Sequence, residues 1–264
     1  MFKAIPFRVH HPTVDLCPIV ASIPHSGLIV PEEMVAALKP NYRDFLPHQD
    51  WHLDKLYDSL PQLGITVLEA AYSRYVVDLN RAANAPFIGS FWQAAVPKQT
   101  AYGKSLYCEL PSLQQIKERI DQVYHPYHHQ LSHLLEQVIN QFGYVYLLDL
   151  HSFAGPIVDQ VCLGNSNGST CSEEFISAVD TAFVSQGYQV ARNHVFNGGY
   201  ITRHYGEMAN VQSLQIELRY HNYLNLSQLK QEHIPDWDMP EFHQAKRKIQ
   251  SVFSHLVQCL QAQS

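Results

Sequence analysis

Residues able to do chemistry together fall at a few defined points of this chain. Tyr144-Val145-Tyr146-Leu147-Leu148-Asp149-Leu150-His151-Ser152 joins a continuous apolar run to a polar end. The run suits a strand buried on both faces. Asp149 and His151, two residues apart, then point to the same side of it. An imidazole there can take a metal, and the neighbouring carboxylate can orient it. The plainer reading is a strand that stops in a polar turn, with His151 simply hydrogen-bonded.

Pro24-His25-Ser26-Gly27 is a second junction of this kind, following the apolar run Cys17–Ile23. Ser73-Arg74-Tyr75-Val76-Val77-Asp78-Leu79-Asn80-Arg81 reads as a strand with anion-binding groups at both ends. Arginine can hold a carboxylate bidentately and Asn80 can add a donor, or Asp78 can pair internally with Arg74 or Arg81. Glu217 lies between Ile216 and Leu218 near the end of the alternating run Val211–Arg219. Apolar surroundings raise a carboxyl pKa and suit it to general base catalysis; the alternative is an ion pair with Arg219 or Arg203. Asp50 opens a helical segment, either as a first-turn acid or as a ligand projecting into the crevice.

In open α/β sheets ligands sit at the carboxyl ends of the strands. Two histidines and a carboxylate with an open fourth position are what a catalytic zinc needs. Such a metal acidifies water and polarises a carbonyl, while a separate glutamate moves the proton. Arg and Asn would hold an anionic substrate. Together these are the parts of a metal-dependent amide hydrolase acting on a small carboxylated molecule.

The elements that must position these groups alternate along the chain. After an arm or edge strand over 1–17, strands are expected at Cys17–Ile23, Ile65–Ala71, Ser73–Arg81, Tyr144–Ser152, Pro156–Asn165, Tyr188–Asn193 and Val211–Arg219. Helices are expected from Pro31 to Leu38, from Leu53 to Gly64, from Leu113 to Phe142 with an interruption at Pro126, from Ser172 to Gly187, and from Phe242 to Leu260. Residues 82–112 form a long loop suited to a lid, and Phe196–Arg203 is a glycine loop carrying Tyr200 and Arg203. No repeat or linker divides the chain. The expected fold is α/β, one domain over 1–264, with a mostly parallel sheet. His125 and His129 have i, i+4 spacing but lack an HExxH context; His128 or His129 could instead reach the substrate pocket.

The bulk numbers agree. The chain has 264 residues, 46% hydrophobic, enough for one large core. A net charge of −6 without a basic stripe argues against nucleic acid. No apolar run reaches the roughly 18 residues of a membrane span, and no signal peptide opens the sequence. Five scattered cysteines without CxxC spacing fit reduced thiols in the cytoplasm.

In this order, Pro24-His25-Ser26-Gly27, Ser73–Arg81, Asp149-Leu150-His151-Ser152, Phe196-Asn197-Gly198-Gly199-Tyr200 and Gln215-Ile216-Glu217-Leu218 resemble the N-formylglutamate amidohydrolase family, from about Ile19 to Tyr223. That family is similar to the zinc carboxypeptidase and aspartoacylase group, so the resemblance implies a mixed, mostly parallel sheet with helices on both faces, of the phosphorylase/hydrolase kind. It implies one zinc per chain on His25 and His151, Glu217 as the base, and Asn80 and Arg81 as a carboxylate clamp. Where the wider group has an acidic ligand three residues after the first His, this chain has Leu28. Asp50 is the choice to replace it, ahead of Glu32 and Glu33. Arg74 would stabilise the oxyanion, and Arg203 and Tyr200 would help bind substrate. The implied reaction converts N-formyl-L-glutamate to formate and glutamate, as in histidine breakdown. Other N-acyl amino acids or small peptides fit the same parts. A non-catalytic binder of a carboxylated metabolite is a different class. A serine hydrolase using Ser152 or Ser26 would lack the GxSxG elbow.

Overall fold

The apolar runs of the sequence pair side by side as the middle of a sheet. The computed structural model describes residues 2–84, 86–155 and 158–262. Its strands are β1 (Phe7–His10), β2 (Ile19–Ile23), β3 (Thr66–Ala70), β4 (Ile88–Gly89), β5 (Val96–Pro97), β6 (Val145–Phe153), β7 (Val161–Gly164), β8 (Val190–Arg192) and β9 (Val211–Arg219). The helices are α1 (Glu32–Ala37), α2 (Leu53–Leu56), α3 (Leu113–Arg119), α4 (His125–Phe142), α5 (Glu173–Ser185), α6 (Tyr200–Gly206) and α7 (Pro240–Gln261).

Seven strands form one sheet in the order β1-β3-β2-β6-β9-β7-β8, and β4 pairs separately with β5. Strands β3, β2, β6 and β9 run parallel, while β1 and β7 join antiparallel. The fold is thus α/β with a mixed, mostly parallel sheet. Strand alternation sends its side chains into two cores. Ile19, Ala21, Leu148, Leu150, Leu214 and Ile216 pack against α2, α5 and α7. Val20, Leu68, Val145 and Leu147 pack on the other face against α1, α4 and α6.

That second face carries the polar residues. Asp149 and His151 share it with Leu147, and Gln215 and Glu217 share it with Val211. The parallel register pairs Asp149 with Gln215 and His151 with Glu217, and Ser22 with Asp149. A polar lane therefore crosses β2, β6 and β9 toward their carboxyl ends.

Four expected elements differ. The helix expected from Leu53 to Gly64 is formed as the four-residue α2, with a separate 3-10 turn over Leu60–Leu63. Ser73–Arg81 is not a strand but a buried irregular segment. Its backbone groups are met locally: Val76 N–H donates to Ser73 O at 2.8 Å and Asn80 N–H to Asp78 Oδ1 at 2.9 Å. Tyr75, Val76, Val77 and Leu79 are nevertheless buried, and the apolar pattern reported that burial rather than a β ladder. The glycine loop ends at Gly199, which precedes α6, so Tyr200 and Arg203 are helical. The strand expected at Pro156–Asn165 is formed over Val161–Gly164; Pro156 and Ile157 lie outside the described residues. Pro126 does interrupt its helix: a π-helical turn, Ile120–Tyr124, joins α3 to α4 just before it and absorbs the missing donor. Residues 7–10 of the expected arm form the edge strand β1.

Gly27, just past β2, has no room for a side chain. A Cβ there would lie 2.5 Å from Ala71 C and 2.6 Å from Tyr72 O, both backbone. Gly27→Ala is expected to cost roughly 1–3 kcal/mol through overpacking, read as a fall of several degrees in Tm. An unchanged Tm would show that residues 70–72 yield freely.

Candidate active site

Five segments converge at the carboxyl ends of the parallel strands: the loop after β2, the 48–52 loop, the 73–81 segment, and the last residues of β6 and β9. They bring together His25, Asp50 and His151, whose ligand-type atoms lie within 4.8 Å of one another. His151 Nδ1 is 2.9 Å and His25 Nδ1 is 3.5 Å from Asp50 Oδ2. The two rings are tilted, with centroids 4.8 Å apart. All three side chains are buried.

The outer nitrogens are held by carboxylates. His25 Nε2 lies 2.7 Å from Asp78 Oδ1 and His151 Nε2 lies 3.0 Å from Asp149 Oδ2. A carboxylate at Nε2 favours the tautomer with its proton there, which would leave Nδ1 to a cation; Asn80 Nδ2 also lies 2.9 Å from His151 Nε2. Both carboxylates are themselves held. Arg74 donates from Nε and Nη2 to Asp78 Oδ2, at 3.1 and 2.6 Å. Asn80 Nδ2 and Thr202 Oγ1 each donate to Asp149 Oδ2 at 3.3 Å. Burial alone would raise Asp50's carboxyl, but the adjoining imidazoles of His151 and His25 outweigh it and hold it well below the usual range. Asp78 is likewise held low, with Arg74 and His25 overcoming its burial.

These residues fit a divalent cation. His25 Nδ1 is buried without a hydrogen-bond partner, and the donors are two imidazole nitrogens and one carboxylate oxygen. Ligands on a tetrahedral ion with bonds of about 2.0–2.1 Å stand roughly 3.3 Å apart, close to the spacing of Asp50 Oδ2 from each histidine. Glu32 and Glu33, the other acidic candidates, lie on α1 outside this cluster.

Glu217 borders the same cavity of about 610 Å³. Its Oε1 accepts from Gln215 Nε2 at 2.7 Å, while Oε2 is buried without a partner. Burial pushes the carboxyl up to about 7, with Asp50 reinforcing and His151 opposing.

Arg74, Arg81 and Arg203 also border this cavity, but their states differ. Arg74 is tied to Asp78, lies 3.7 Å from Asp50 Oδ1 and rests on the Phe91 ring. Arg81 gives Nη1 to Asn80 O, and its buried Nε has no partner. Arg203 donates to Gly198 O. The Asn80 amide is committed internally: besides Asp149, its Oδ1 accepts from Ile201 N–H at 2.8 Å. It approaches the chain so closely that a Cβ at Gly199 would overlap it. Tyr200 does not line the cavity; it stacks on His204 and packs near Tyr124 and His128. His128 donates from Nε2 to Leu79 O at 3.0 Å within that packing, and His125 and His129 are exposed. Ser152 is hydrogen-bonded to Tyr223 rather than to a histidine.

Several residues of the site carried no role in the sequence. Asp78, which lies behind His25 and Arg74 rather than on the cavity wall, was visible only as a partner for arginine; its place two residues before Asn80-Arg81 was the available signal. Residues 82–112 contribute Phe91, Trp92, Ala101 and Tyr102 to the wall. His48 sits beside them in a left-handed conformation (φ 59°), and burial, aided by Arg74, pushes it down to about 4.

Residues 17–224 match the family described as N-formylglutamate amidohydrolase. The chain is 34% identical over 220 residues to an N-formylglutamate deformylase of Pseudomonas putida, covering 78% of this chain and 82% of that protein. It is 33% identical over 221 residues to the one named likewise in Pseudomonas aeruginosa, covering 79% and 82%. The crystal structure of an N-formylglutamate amidohydrolase from Ralstonia eutropha JMP134 shares the fold, with a TM-score of 0.83 at 24% identity over 99% of this chain and all of that one. With a family match spanning most of its length and two curated relatives above 30% identity, the chain belongs to the N-formylglutamate amidohydrolase family.

Proposed function

We propose that the protein hydrolyses N-formyl-L-glutamate to formate and L-glutamate, using one zinc ion held by His25, Asp50 and His151. The observation that carries this reading is one cavity containing both a buried two-nitrogen, one-oxygen donor set and a carboxyl with a free oxygen. The two relatives named N-formylglutamate deformylase support the substrate.

A divalent ion at such a donor set acidifies water and polarises a carbonyl. His25 and His151 would offer Nδ1 because Asp78 and Asp149 accept hydrogen bonds from Nε2. Glu217 Oε2 accepts a proton from the water that attacks the formyl carbon. A carboxyl near 7 can both take and return a proton at neutral pH. The same oxygen delivers it to the amide nitrogen as the C–N bond breaks, so the formyl carbon leaves with the water oxygen as formic acid, whose remaining proton passes to the released amine to give formate and glutamate. Gln215 holds Oε1, which keeps Oε2 aimed. Arg74 supplies positive charge beside the developing oxyanion. Arg81 and Arg203 receive the two substrate carboxylates, the unpaired Arg81 Nε being available for a charge-assisted bond. Asn80 serves by positioning His151 and the start of α6.

Elemental analysis of protein purified without added metal is expected to give about one zinc per chain. Chelation should abolish formate release and added zinc should restore it. Absence of zinc, with none taken up on addition, would leave His25 and His151 as ordinary strand-end histidines and favour a carboxylate binder. Glu217→Gln should lower kcat by about 10²–10⁴-fold while metal content and substrate affinity persist; near wild-type turnover would remove it as the base. Arg81→Ala is expected to raise KM for N-formyl-L-glutamate far more than it lowers kcat, with incomplete rescue by Arg81→Lys because the planar fork is lost. An unchanged KM would remove Arg81 from the clamp.

A further inference from the structure

A formyl group places only hydrogen beyond the scissile carbonyl, yet the protein has a second chamber beside the catalytic one. A cavity of about 310 Å³ adjoins the catalytic one. The two share His48, Tyr102, Ala154 and Tyr220 along their common wall. The second borders none of Arg74, Arg81 or Arg203. Substrate carboxylates directed to the arginines would send the amine half toward them. The acyl substituent then leaves the carbonyl away from the clamp, toward the shared wall.

The chamber's lining has a particular chemistry. Phe45 and Trp51 stack at 5.7 Å with an interplanar angle of 12°, and both border it. Tyr102 stands edge-on to His48, with centroids 4.8 Å apart and an angle of 77°. Tyr102 is 75% exposed, so little packing holds it across the opening. A left-handed backbone at a non-glycine residue is uncommon and concentrates at functional positions; at His48 it places the imidazole at the junction of the two spaces. Aromatic side chains at the junction and on the wall offer a flat ring offset-stacked or edge-to-face partners, polar groups such as Lys104 and Lys230 line the rest, and the volume is within the range of small-ligand pockets, about 300–1,000 Å³.

We propose that this chamber is an acyl-side subsite for planar aromatic acyl groups, so that N-aroyl-L-glutamates bind as well as the N-formyl compound. The proposal deepens the amidohydrolase reading and rests on it. The chemistry is that already described: water attacks the aroyl carbon, the C–N bond breaks, and the proton passes to the glutamate nitrogen.

The test is calorimetry on metal-loaded Glu217→Gln with N-formyl-, N-acetyl- and N-benzoyl-L-glutamate, with formate release by the metal-loaded wild type measured in parallel. Asn41 and Lys104 are exposed and border only the second chamber, so Asn41→Trp and Lys104→Trp, each placed in the Glu217→Gln background, fill it from two sides. Expected is a Kd for N-benzoyl-L-glutamate at least tenfold below that for N-acetyl-L-glutamate. Both tryptophan variants should erase that advantage while keeping N-formyl-L-glutamate affinity within twofold, which also shows that they fold. Benzoyl binding no tighter than acetyl would overturn the subsite, as would an advantage that survives both tryptophans. Absence of formate release is a separate failure, of the N-formylglutamate reading, and the three dissociation constants still decide the subsite.

Discussion

The structure depends on keeping several carboxylates charged out of water. Asp50, Asp78 and Asp149 are all almost wholly buried within one small region. An isolated buried carboxylate would take up a proton rather than stay ionised. Each of these instead meets positive or donating groups: Asp78 meets Arg74 and His25, Asp149 meets His151, Asn80, Thr202 and Ser22, and Asp50 meets both histidines and the Ser152 amide. The network is connected, so no member can be moved alone. Removing one partner would leave a buried charge unpaired, a far larger cost than any single bond in it.

That requirement explains why the polar lane follows the sheet register. Asp149 and His151 reach one face of β6 because side chains alternate, and Glu217 reaches the same face of β9 because the parallel pairing sets it beside His151. A shift of one residue would send Glu217 into the apolar core that holds Ile216 and Leu218. Ser22 on β2 and Tyr127 on α4 close the lower end of the lane with a 2.9 Å hydrogen bond. Apolar packing and polar satisfaction thus select one register together.

Much of this was legible in the sequence because β alternation is a local rule. From Asp149-Leu150-His151 and Ile216-Glu217-Leu218 alone, the facing of the side chains follows, and His25 after an apolar run marks another strand end. The 73–81 segment was not legible in the same way. Its burial of Tyr75, Val76, Val77 and Leu79 resembles a strand on paper. The contacts that bend it, Asp78 to His25 across 53 positions and Asn80 to His151 across 71, join residues whose proximity no local pattern encodes. Tyr200 and Arg203 illustrate a subtler limit. The double glycine signals close backbone approach, but whether the next residues enter the cavity depends on where α6 starts. Starting at Tyr200, α6 turns that ring toward Tyr124 and His128 while Arg203 stays at the cavity wall.

Asn80 and Arg81 show how adjacent polar residues divide between building a site and serving it. Both were natural carboxylate binders by type. Asn80 has its carbonyl bound to Ile201 N–H and its amide to Asp149, so withdrawing it to meet a ligand would release the carboxylate beside His151 and the first turn of α6 together. Arg81 donates one Nη1 bond to a backbone carbonyl and keeps a buried Nε without partner. Burial lowers its pKa, with Arg74 and Arg203 adding repulsion. Three guanidiniums bordering one cavity are costly unless anions offset them. Asp78 accepts hydrogen bonds from Arg74 and, with Glu217, also offsets Arg81, which leaves Arg81 and Arg203 facing the same space with no carboxylate hydrogen-bonded to either among the described residues. A ligand with two carboxylates neutralises that pair, whereas a monocarboxylate leaves one cation desolvated. On the proposed function, this asymmetry would favour a dicarboxylate on the amine side irrespective of what the acyl side accepts.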